Sequence, residues 1–337
     1  MKARTPSRTR RLTTEGGLPA WITPQLTQLV REAPAGDDWA HEIKLDGFRI
    51  HARIDRGQVK LLTRTGLDWS AKYPRTVEAL QALKVKQAYL DGELCGVRED
   101  GTTSFALIQA ATDGSSTAPL VYFAFDLLHL DGRNTAAWPL LERKAELKGI
   151  LASAPASLQF SEHVIGNGSQ FHRHACKLKL EGIVSKRIDR PYAPGDRGIW
   201  RKTKCLNREE FVVVGWTEPE GSRPYLGALL LGYYTPDGKL IYAGRVGTGI
   251  SETELKTLWE RLQPLAVPKM PLAAPPPRES RFGSPLQLSR VHWVRPEMVV
   301  EVSFLTWTAD SLLRQVVYQG VREDKPAKEV RRPVPIG

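Results

Sequence analysis

Hydrophobic and polar residues follow different patterns in the two halves of the chain. Up to about residue 205, short runs of period two mix with helical spacing; from residue 210, most segments are strand-like and rich in Val, Leu, Tyr and Trp. Predicted strands are 50–54, 59–63, 87–94, 121–128, 182–185, 211–217, 226–234, 240–246 and 298–308. Predicted helices are 73–85, 140–151 and 252–262, the last with Ser251 as its N-cap.

This order of elements predicts an α+β protein with two domains. Several short strands and one helix in about 125 residues are typical of a small Greek-key barrel of the oligonucleotide-binding (OB) type. We predict a basic flexible arm at 1–18, a mixed domain at 19–206 and an OB-fold domain at 207–337, with the hinge around 205–209. The Pro-rich segment 264–285 is expected to be an exposed loop of the second domain.

The composition is typical of a globular protein. Its positive charge indicates either a polyanionic partner or, equally, a basic protein that is merely soluble. The chain has 337 residues, 41% of them hydrophobic and 25% charged, with a formal net charge of +11. No apolar run reaches the roughly 18 residues that cross a bilayer. The basic residues of 1–15 precede no apolar segment, so we predict neither a membrane span nor a secretory signal.

The cysteines and histidines give little sign of a metal or disulfide site. Cys95, Cys176 and Cys205 lie far apart without paired spacing, which argues against a disulfide framework and a structural zinc site and favours a reducing cytosol. His172 and His174 are two residues apart, which is not the spacing of a helical ligand pair, and we expect both at the surface.

The strand-like window 41–49 carries the candidate chemistry. Period-two alternation places Lys44 on one face with the carboxylates Glu42 and Asp46, either as a solvated ion-pair row or as a nucleophilic amine in a charged pocket. At pH 7 only about one free lysine in 2,500 is neutral, a cost of roughly 4.6 kcal/mol. Neighbouring cations and partial burial lower that cost, so we expect Lys44 among basic residues.

Further motifs follow in a fixed order. They are KLDGFR at 44–49, TRTG at 63–66, LDGE at 90–93, YFAFD at 122–126, LEGIVSK at 180–186, WRKTK at 200–204 and REDK at 322–325. Each is weak alone, but the ordered set resembles the ATP-dependent DNA ligases over about residues 24–330. The finer resemblance, at 38–44, 227–234 and 243–249, is to the ligase domain of the bacterial end-joining ligase D type.

The resemblance implies a fold and a reaction. The fold is a nucleotidyltransferase (adenylation) domain of antiparallel sheets with helices, followed by an OB-fold β-barrel. Lys44 would attack the α-phosphate of ATP, release pyrophosphate and form lysyl-AMP. AMP would then pass to the 5′-phosphate of a nick, and the 3′-hydroxyl would displace it. These are phosphoryl transfers, which depend on alignment and charge neutralisation rather than on a histidine proton relay.

The resemblance also implies the binding residues. ATP and AMP would be held by Glu42, Ile43, Arg49, Arg64, Glu93, Phe125, Lys186, Lys202 and Lys204. The backbone of 42–43 would read adenine, Phe125 would stack on it, Glu93 would bind ribose, and the cations would bind sugar and phosphate. Mg²⁺ or Mn²⁺ would be held by Glu181 and Asp46. The leaving pyrophosphate would be oriented by Arg322, Asp324 and Lys325.

Each assignment has a structural alternative. Phe125 could equally be an ordinary core residue. Glu181 precedes a glycine and could be a carboxylate in a turn. The alternation around Lys202 and Lys204 is also typical of a solvated edge strand. The charged run 322–325 is also typical of a solvated tail. Alternative functions are an RNA ligase or capping-type nucleotidyltransferase, and a non-catalytic DNA-binding module.

The implied cofactors are ATP with Mg²⁺ or Mn²⁺, and the implied partner is nicked duplex DNA. The sequence has no nicotinamide-binding domain and no four-cysteine module, which favours ATP over NAD⁺ as the donor. We further expect a monomer in the bacterial cytoplasm, at the nucleoid, with a Ku-like end-binding protein as a second partner. A free-standing enzyme and an excised domain fit the sequence equally.

Overall fold

The computed structural model describes residues 17–112, 117–219, 221, 223–277 and 286–334. Nearly all of the predicted basic arm, and the end of the predicted Pro-rich loop, lie outside these ranges. Among the described residues, no helix is both long and apolar enough to span a membrane.

The strands and helices alternate in the first half, and strands dominate the second. In chain order the strands are β1 (Gln28–Leu29), β2 (Trp39–Ile43), β3 (Phe48–Asp55), β4 (Gln58–Thr63), β5 (Gln87–Val97), β6 (Thr103–Ser104), β7 (Leu120–Leu130), β8 (Leu158–Phe160), β9 (Val164–Ile165), β10 (Gly182–Arg187), β11 (Trp200–Lys204), β12 (Arg208–Thr217), β13 (Leu229–Tyr234), β14 (Leu240–Val246), β15 (Val291–Trp293), β16 (Val299–Ser303), β17 (Thr306–Trp307), β18 (Leu313–Arg314) and β19 (Val317–Val321). The helices are α1 (Pro74–Gln81), α2 (Phe105–Thr112), α3 (Leu140–Leu151), α4 (Gly168–Lys177) and α5 (Glu252–Leu262).

Two sheets make up the first half. One has the order β4-β3-β5-β7-β8, with β6 beside β5, and its apolar face packs under α1, α2 and α3. The other has the order β1-β11-β10-β2-β9 and is covered by α4 through a small core that includes Ala175 and Ile183. All pairings are antiparallel except β7 with β8 and β1 with β11.

The second half is a six-stranded sheet around its own core, with a separate two-stranded sheet of β17 and β18. Its order is β14-β13-β12-β16-β19, with β15 also on β12. The two outermost strands approach each other, because a parallel bridge joins Thr248, just after β14, to Val317 of β19. Leu255, Leu258 and Leu262 of α5 are buried in the same core. This arrangement agrees with the predicted OB-type domain.

The helices predicted from hydrophobic spacing have the observed bounds for α3 and α5, and the predicted 73–85 contains the shorter α1. The Ser251 side chain accepts a hydrogen bond from the backbone N–H of Glu254, as expected of an N-cap. Helices α2 and α4 were not predicted. Helix α4 carries His174 and Lys177 in its last turn and buries only Gly168 and Ala175, so few apolar positions mark a buried face in the sequence.

The prediction from cysteine spacing was wrong. Cys176 on α4 and Cys205 directly after β11 form a disulfide, although 29 residues separate them. The fold brings them together because α4 packs on β10, and Cys205 contacts the same small core as Ala175 and Ile183. His174 is exposed as predicted, but His172 is half-buried with its Nε2 3.3 Å from the Cys176 sulfur. Among the described residues, Cys95 is a free thiol.

Candidate active site

Lys44 lies in a loop between two strands of different sheets, not on a strand as predicted. β2 ends at Ile43 and β3 begins at Phe48, while the Lys44 backbone N–H donates to the carbonyl of Gly182, 2.9 Å away. The neighbouring glycines explain the break. A Cβ on Gly47 would lie 2.2 Å from the Leu94 carbonyl oxygen, so only glycine lets the chain cross β5 here.

Gly182 is constrained on the other side of Lys44. Its φ is +149°, and an added Cβ would lie 2.2 Å from the Thr203 carbonyl oxygen. The glycine that follows Glu181 therefore does more than form a turn, because it lets β10 and β11 approach closely beside the lysine.

Strand register aligns cavity-facing residues across the second sheet. In β10, Val184 pairs with Glu42 of β2 on one side and with Lys202 of β11 on the other. Lys186 pairs with Trp200. Residues paired across antiparallel strands share a face, and period two adds alternate residues to it. Because β11 lies between β1 and β10, the edge-strand alternative for its lysines is wrong.

The two halves enclose a cleft with two adjoining cavities. The larger, about 890 Å³, is lined by these predicted residues: Glu42, Ile43, Lys44, Arg49, Arg64, Glu93, Phe125, Lys186, Lys202, Arg322, Asp324 and Lys325. The smaller, about 120 Å³, also contains Lys44 and adds the remaining predicted residues: Asp46, Glu181 and Lys204. Lys44 lies on the wall that the cavities share. The fold thus brings together residues from 42 to 325.

The electrostatic surroundings of Lys44 differ from the expectation. Its Nζ lies 2.5 Å from Glu181 Oε1, and the side chain is 23% exposed. Burial lowers the pKa of Lys44, but Glu181, followed by Glu93 and Glu301, reverses the effect, so the net pKa is raised. The expected basic residues, among them Lys202 and Lys204, do line the same cavities, but the expected lowering of the Lys44 pKa is absent because the nearby carboxylates outweigh the effect of burial.

A buried lysine clamp, formed by Glu42, Lys144 and Lys186, lies deeper in the first half. Glu42 accepts from Lys144 Nζ at 2.8 Å and from Lys186 Nζ at 2.9 Å, and all three side chains are at most 4% exposed. The pKa of Lys186 is lowered to about 8, first by burial and then by the nearby Lys144 charge, against the pull of Glu42. No sequence motif pointed to Lys144, which lies on α3 away from every recognised segment.

Aromatic rings enclose the end of Lys186. Its Nζ lies 4.3 Å from the ring centroids of both Phe125 and Trp200, which are themselves 6.0 Å apart in an edge-to-face arrangement. Phe125 is only 9% exposed yet lines the large cavity. It is therefore both part of a small core and part of the cavity wall, so neither reading of this residue excludes the other.

Two of the predicted phosphate-binding arginines are already paired. The Arg49 guanidinium donates to both Asp91 oxygens, at 3.0 and 2.6 Å, and its third nitrogen donates to the carbonyl of Gln25. Burial opposes the charge, but Asp91 holds the pKa of Arg49 well above its usual range. Arg64 forms an ion pair with Glu329 near the C-terminus. Both line the cavity, so their assignment to ATP stays a prediction.

The second half closes the cleft with a charged network. Arg322 donates to Asp324 at 2.9 and 2.8 Å and to Glu301 at 3.1 Å, and Lys325 forms an ion pair with Glu210. Burial, with the Arg64 and Lys202 charges, lowers the pKa of Lys325 to about 7. Segment 322–325 is therefore not a solvated tail.

An ion pair also links the halves directly. Arg208, the first residue of β12, contacts Asp46 at 2.6 Å and Glu301 at 3.0 Å. Neither Arg208 nor Glu301 was predicted. Glu301 lies in the otherwise apolar strand Val299–Ser303 and is 5% exposed, so a carboxylate inside that run was a usable signal.

The carboxylates of the small cavity form a donor set suited to a hard divalent cation. Six carboxylates line this cavity, and four of them, Asp46, Glu93, Glu181 and Glu301, are called the carboxylate cluster here; the other two are Glu209 and Glu210. Mg²⁺ and Mn²⁺ prefer such oxygen ligands. Burial raises the pKa of Glu93 to about 8, and Lys44 and Arg322 offset this only in part, so Glu93 is mostly protonated at pH 7. Glu301, by contrast, is charged, because Arg322 and Arg208 overcome the effect of burial and lower its pKa to about 2. The residues present match such an ion in ligand type, but among the described residues no three of these carboxylates have their oxygens within 4.8 Å of one another.

Two family models match the chain. The one described as "ATP dependent DNA ligase domain" covers residues 20–204, and "ATP dependent DNA ligase C terminal region" covers 222–325. The multifunctional non-homologous end joining protein LigD of Pseudomonas aeruginosa is 43% identical over 324 residues, which cover 95% of this chain and 38% of the relative. Its Mycolicibacterium smegmatis counterpart is 36% identical over 294 residues, 87% of this chain and 37% of the relative.

A solved structure agrees with these matches. A mycobacterial DNA ligase D complexed with ATP and MES superposes with a TM-score of 0.67 at 34% identity, and the match covers 92% of this chain and 98% of that one. The chain spans somewhat more than a third of the length of the curated relatives cited above.

Proposed function

The chain belongs to the ATP-dependent DNA ligase family, and from that premise we propose that it seals 5′-phosphate/3′-hydroxyl nicks in duplex DNA. The observation that supports this best is the convergence of every predicted site residue on two cavities that meet at Lys44. A lysine with a purely structural role would not be expected to line cavities together with so many side chains that are predicted to bind phosphate.

The proposed reaction has three displacements. The Lys44 Nζ bonds to the α-phosphorus of ATP as the bond to pyrophosphate breaks. A 5′-phosphate oxygen of the nick then bonds to the same phosphorus and releases Lys44. Finally the 3′-hydroxyl oxygen, losing its proton, bonds to the 5′-phosphorus, and AMP leaves. Lys186, Lys202 and Lys204 provide positive charge along the cavity wall, which favours the extra negative charge of each transition state.

Lys44 must lose a proton before the first displacement. In the present arrangement Glu181 stabilises its ammonium form at 2.5 Å. We infer that Glu181 holds the amine in position, and that the amine becomes nucleophilic when the charge of this carboxylate is offset. Glu181 and Asp46, within the carboxylate cluster, would hold Mg²⁺ or Mn²⁺, which when bound supplies positive charge to the phosphates and to these carboxylates.

Arg322, Asp324 and Lys325 are proposed to orient the leaving pyrophosphate. They reach the large cavity only because the second half lies against the first, and the Arg208–Asp46 ion pair is part of that contact. We propose that this closed arrangement serves adenylation and that the second half moves about residues 205–209 to contact DNA.

We also propose roles and partners beyond the reaction. The relatives are named for non-homologous end joining, so we propose DNA repair by end joining with a Ku-like end-binding protein, in the cytoplasm at the nucleoid, with the chain acting as a monomer. The net charge of +11 is consistent with a polyanionic DNA partner.

Covalent labelling tests the proposed function. Incubation with α-phosphate-labelled ATP and Mg²⁺ is expected to leave acid-labile label on the denatured chain, and unlabelled nicked DNA should then remove it. Lys44→Ala and Lys44→Arg should abolish labelling, because arginine is not deprotonated in this range. Lys60→Ala, at an exposed lysine of β4, serves as the matched control and should label normally. Labelling that persists without Lys44 would refute the assignment.

A further inference from the structure

A second group of metal-binding side chains lies outside the cleft. Nε2 of His172 and the sulfurs of Cys176 and Cys205 all lie within 4.8 Å of one another, and all three residues are half-buried. None of them lines either cavity. The proposed ligase reaction gives these residues no role.

The helix geometry makes two of these side chains a ligand pair. His172 and Cys176 are four residues apart on α4, so they lie one turn apart on the same helix face. Their Nε2 and Sγ atoms are 3.3 Å apart. Two ligands of a tetrahedral zinc, at about 2.0 Å for nitrogen and about 2.3 Å for sulfur, lie roughly 3.5 Å apart. The imidazole thus already stands at a spacing that a shared zinc ion would require.

Cys205 supplies the third ligand from a different element. It follows Lys204 at the end of β11, and its backbone N–H donates to the Glu181 carbonyl oxygen at 2.9 Å. Strand pairing with β10 fixes this end of β11, because Gly182 pairs with Lys204. The third donor is therefore held on the ordered sheet that α4 covers.

We propose that His172, Cys176 and Cys205 form a binding site for a thiophilic divalent ion of the Zn²⁺ class when the Cys176–Cys205 pair is reduced. Two thiolates and one imidazole suit zinc, whereas Mg²⁺ prefers the oxygens of the carboxylate cluster. With three protein ligands, the fourth position is open to water. The chain would then hold two chemically distinct metal sites.

The disulfide and the metal site are alternative states of the same sulfurs. A thiol or phosphine reductant delivers two electrons to the S–S bond, which breaks, and two protons complete the thiols. Zn²⁺ then displaces one proton from each thiol. In either state α4 is cross-linked to the end of β11, next to Lys204 and the segment that leads into the second half.

Spectroscopic titration tests this proposal without ATP or DNA, so its result is independent of ligase activity. The full chain is reduced with tris(2-carboxyethyl)phosphine in excess Mg²⁺ and titrated with Cd²⁺, whose thiolate complexes absorb in the near ultraviolet, and then with Zn²⁺ as competitor. We expect one thiolate-bound ion per chain. We also expect zinc to protect Cys176 and Cys205 from alkylation.

Variants assign the ligands. Cys176→Ser and Cys205→Ser should each remove most of the thiolate absorption, and His172→Ala should weaken binding by roughly tenfold or more. His174→Ala changes an exposed histidine on the same helix and should bind as the parent does. Circular dichroism checks that each variant is folded.

Three results would overturn the proposal. They are an absence of thiolate absorption in the reduced parent, absorption that survives Cys176→Ser together with Cys205→Ser, and a disulfide that phosphine opens only after denaturation. The last counts against it because the site requires both thiols in the folded chain.

Discussion

Lys44 and Lys186 lie in one cleft but in opposite electrostatic surroundings. In the lysine clamp, two ammonium groups share the single carboxylate of Glu42, and the pKa of Lys186 falls to about 8. Around Lys44, the carboxylates Glu181, Glu93 and Glu301 outweigh the effect of burial, and the pKa of Lys44 rises. Both side chains lose hydration, so burial alone does not set the direction. The local ratio of carboxylates to amines does.

This difference suggests different roles for the two regions. The clamp is buried and satisfied by direct hydrogen bonds, which suits a fixed wall for a bound nucleotide. The carboxylate cluster is joined to Lys44, Arg208 and Arg322 by ion pairs, and Glu93 in it has a pKa of about 8, which suits a region whose charge changes during the reaction. The clamp belongs entirely to the first half, whereas Glu301 comes from the second, so only the cluster depends on how the halves meet.

The largest expected effect comes from breaking the clamp. Glu42→Gln leaves Lys144 and Lys186 without an anion at sites at most 2% exposed. Uncompensated buried charges of this kind cost about 3–5 kcal/mol of unfolding free energy. Urea unfolding at pH 7 measures the loss.

Glu162→Gln is the matched control for the clamp. Glu162 pairs with Lys148, but both side chains are more than 60% exposed, so we expect a change within about 0.5 kcal/mol. Similar losses in the two variants would mean that the clamp contributes no more than a surface ion pair.

The next effect separates the chemistry of the two halves. Lys325→Ala removes a cation from the pyrophosphate end of the cavity, and we expect lysyl-AMP formation to slow about 100-fold, as for the loss of one charged contact in a transition state. Sealing of a nick that already carries AMP should change by less than about threefold, because no pyrophosphate leaves in those steps.

Quench-flow measurement of adenylation and single-turnover sealing give the two rates. Lys239→Ala removes an exposed lysine of the same half and should leave both rates unchanged. Equal losses in both assays for Lys325→Ala would contradict the division of labour between the halves.

Sequence reasoning located the site residues better than it located their charges. Local motifs are sufficient to mark Lys44, Lys186 and Lys202, because alternation along β10 and β11 is a sequence property. The carboxylates that raise the pKa of Lys44 are first Glu181 and then Glu93 and Glu301; Glu301 is 257 positions away and reaches Lys44 only through packing of the halves. No spacing rule includes Glu301. Glu181 was predicted as a metal ligand, but its ion pair with Lys44, which decides the direction of the pKa, was not predicted.

The same limit explains the other failures. Cys176 and Cys205 have no motif spacing, and their proximity follows from how α4 packs on the sheet. Lys144 was missed because α3 buries charged as well as apolar residues, so in the sequence this lysine cannot be told from an exposed one without its partner Glu42. Fold class, by contrast, follows from hydrophobic periodicity, which records burial directly.

The smallest effect is a pH dependence that belongs to Lys186. Its folded pKa of about 8 lies below its ordinary value near 10.5, so between these values the unfolded chain binds more protons, and stability rises as pH increases. From pH 7 to 9 the parent should gain about 1.4 kcal/mol relative to Lys186→Met, which has no amine to titrate. Unfolding curves of both proteins at a series of pH values give this difference, and groups common to both cancel. A constant difference would place the folded pKa of Lys186 above 9, and the clamp would then resemble the surroundings of Lys44 rather than contrast with them.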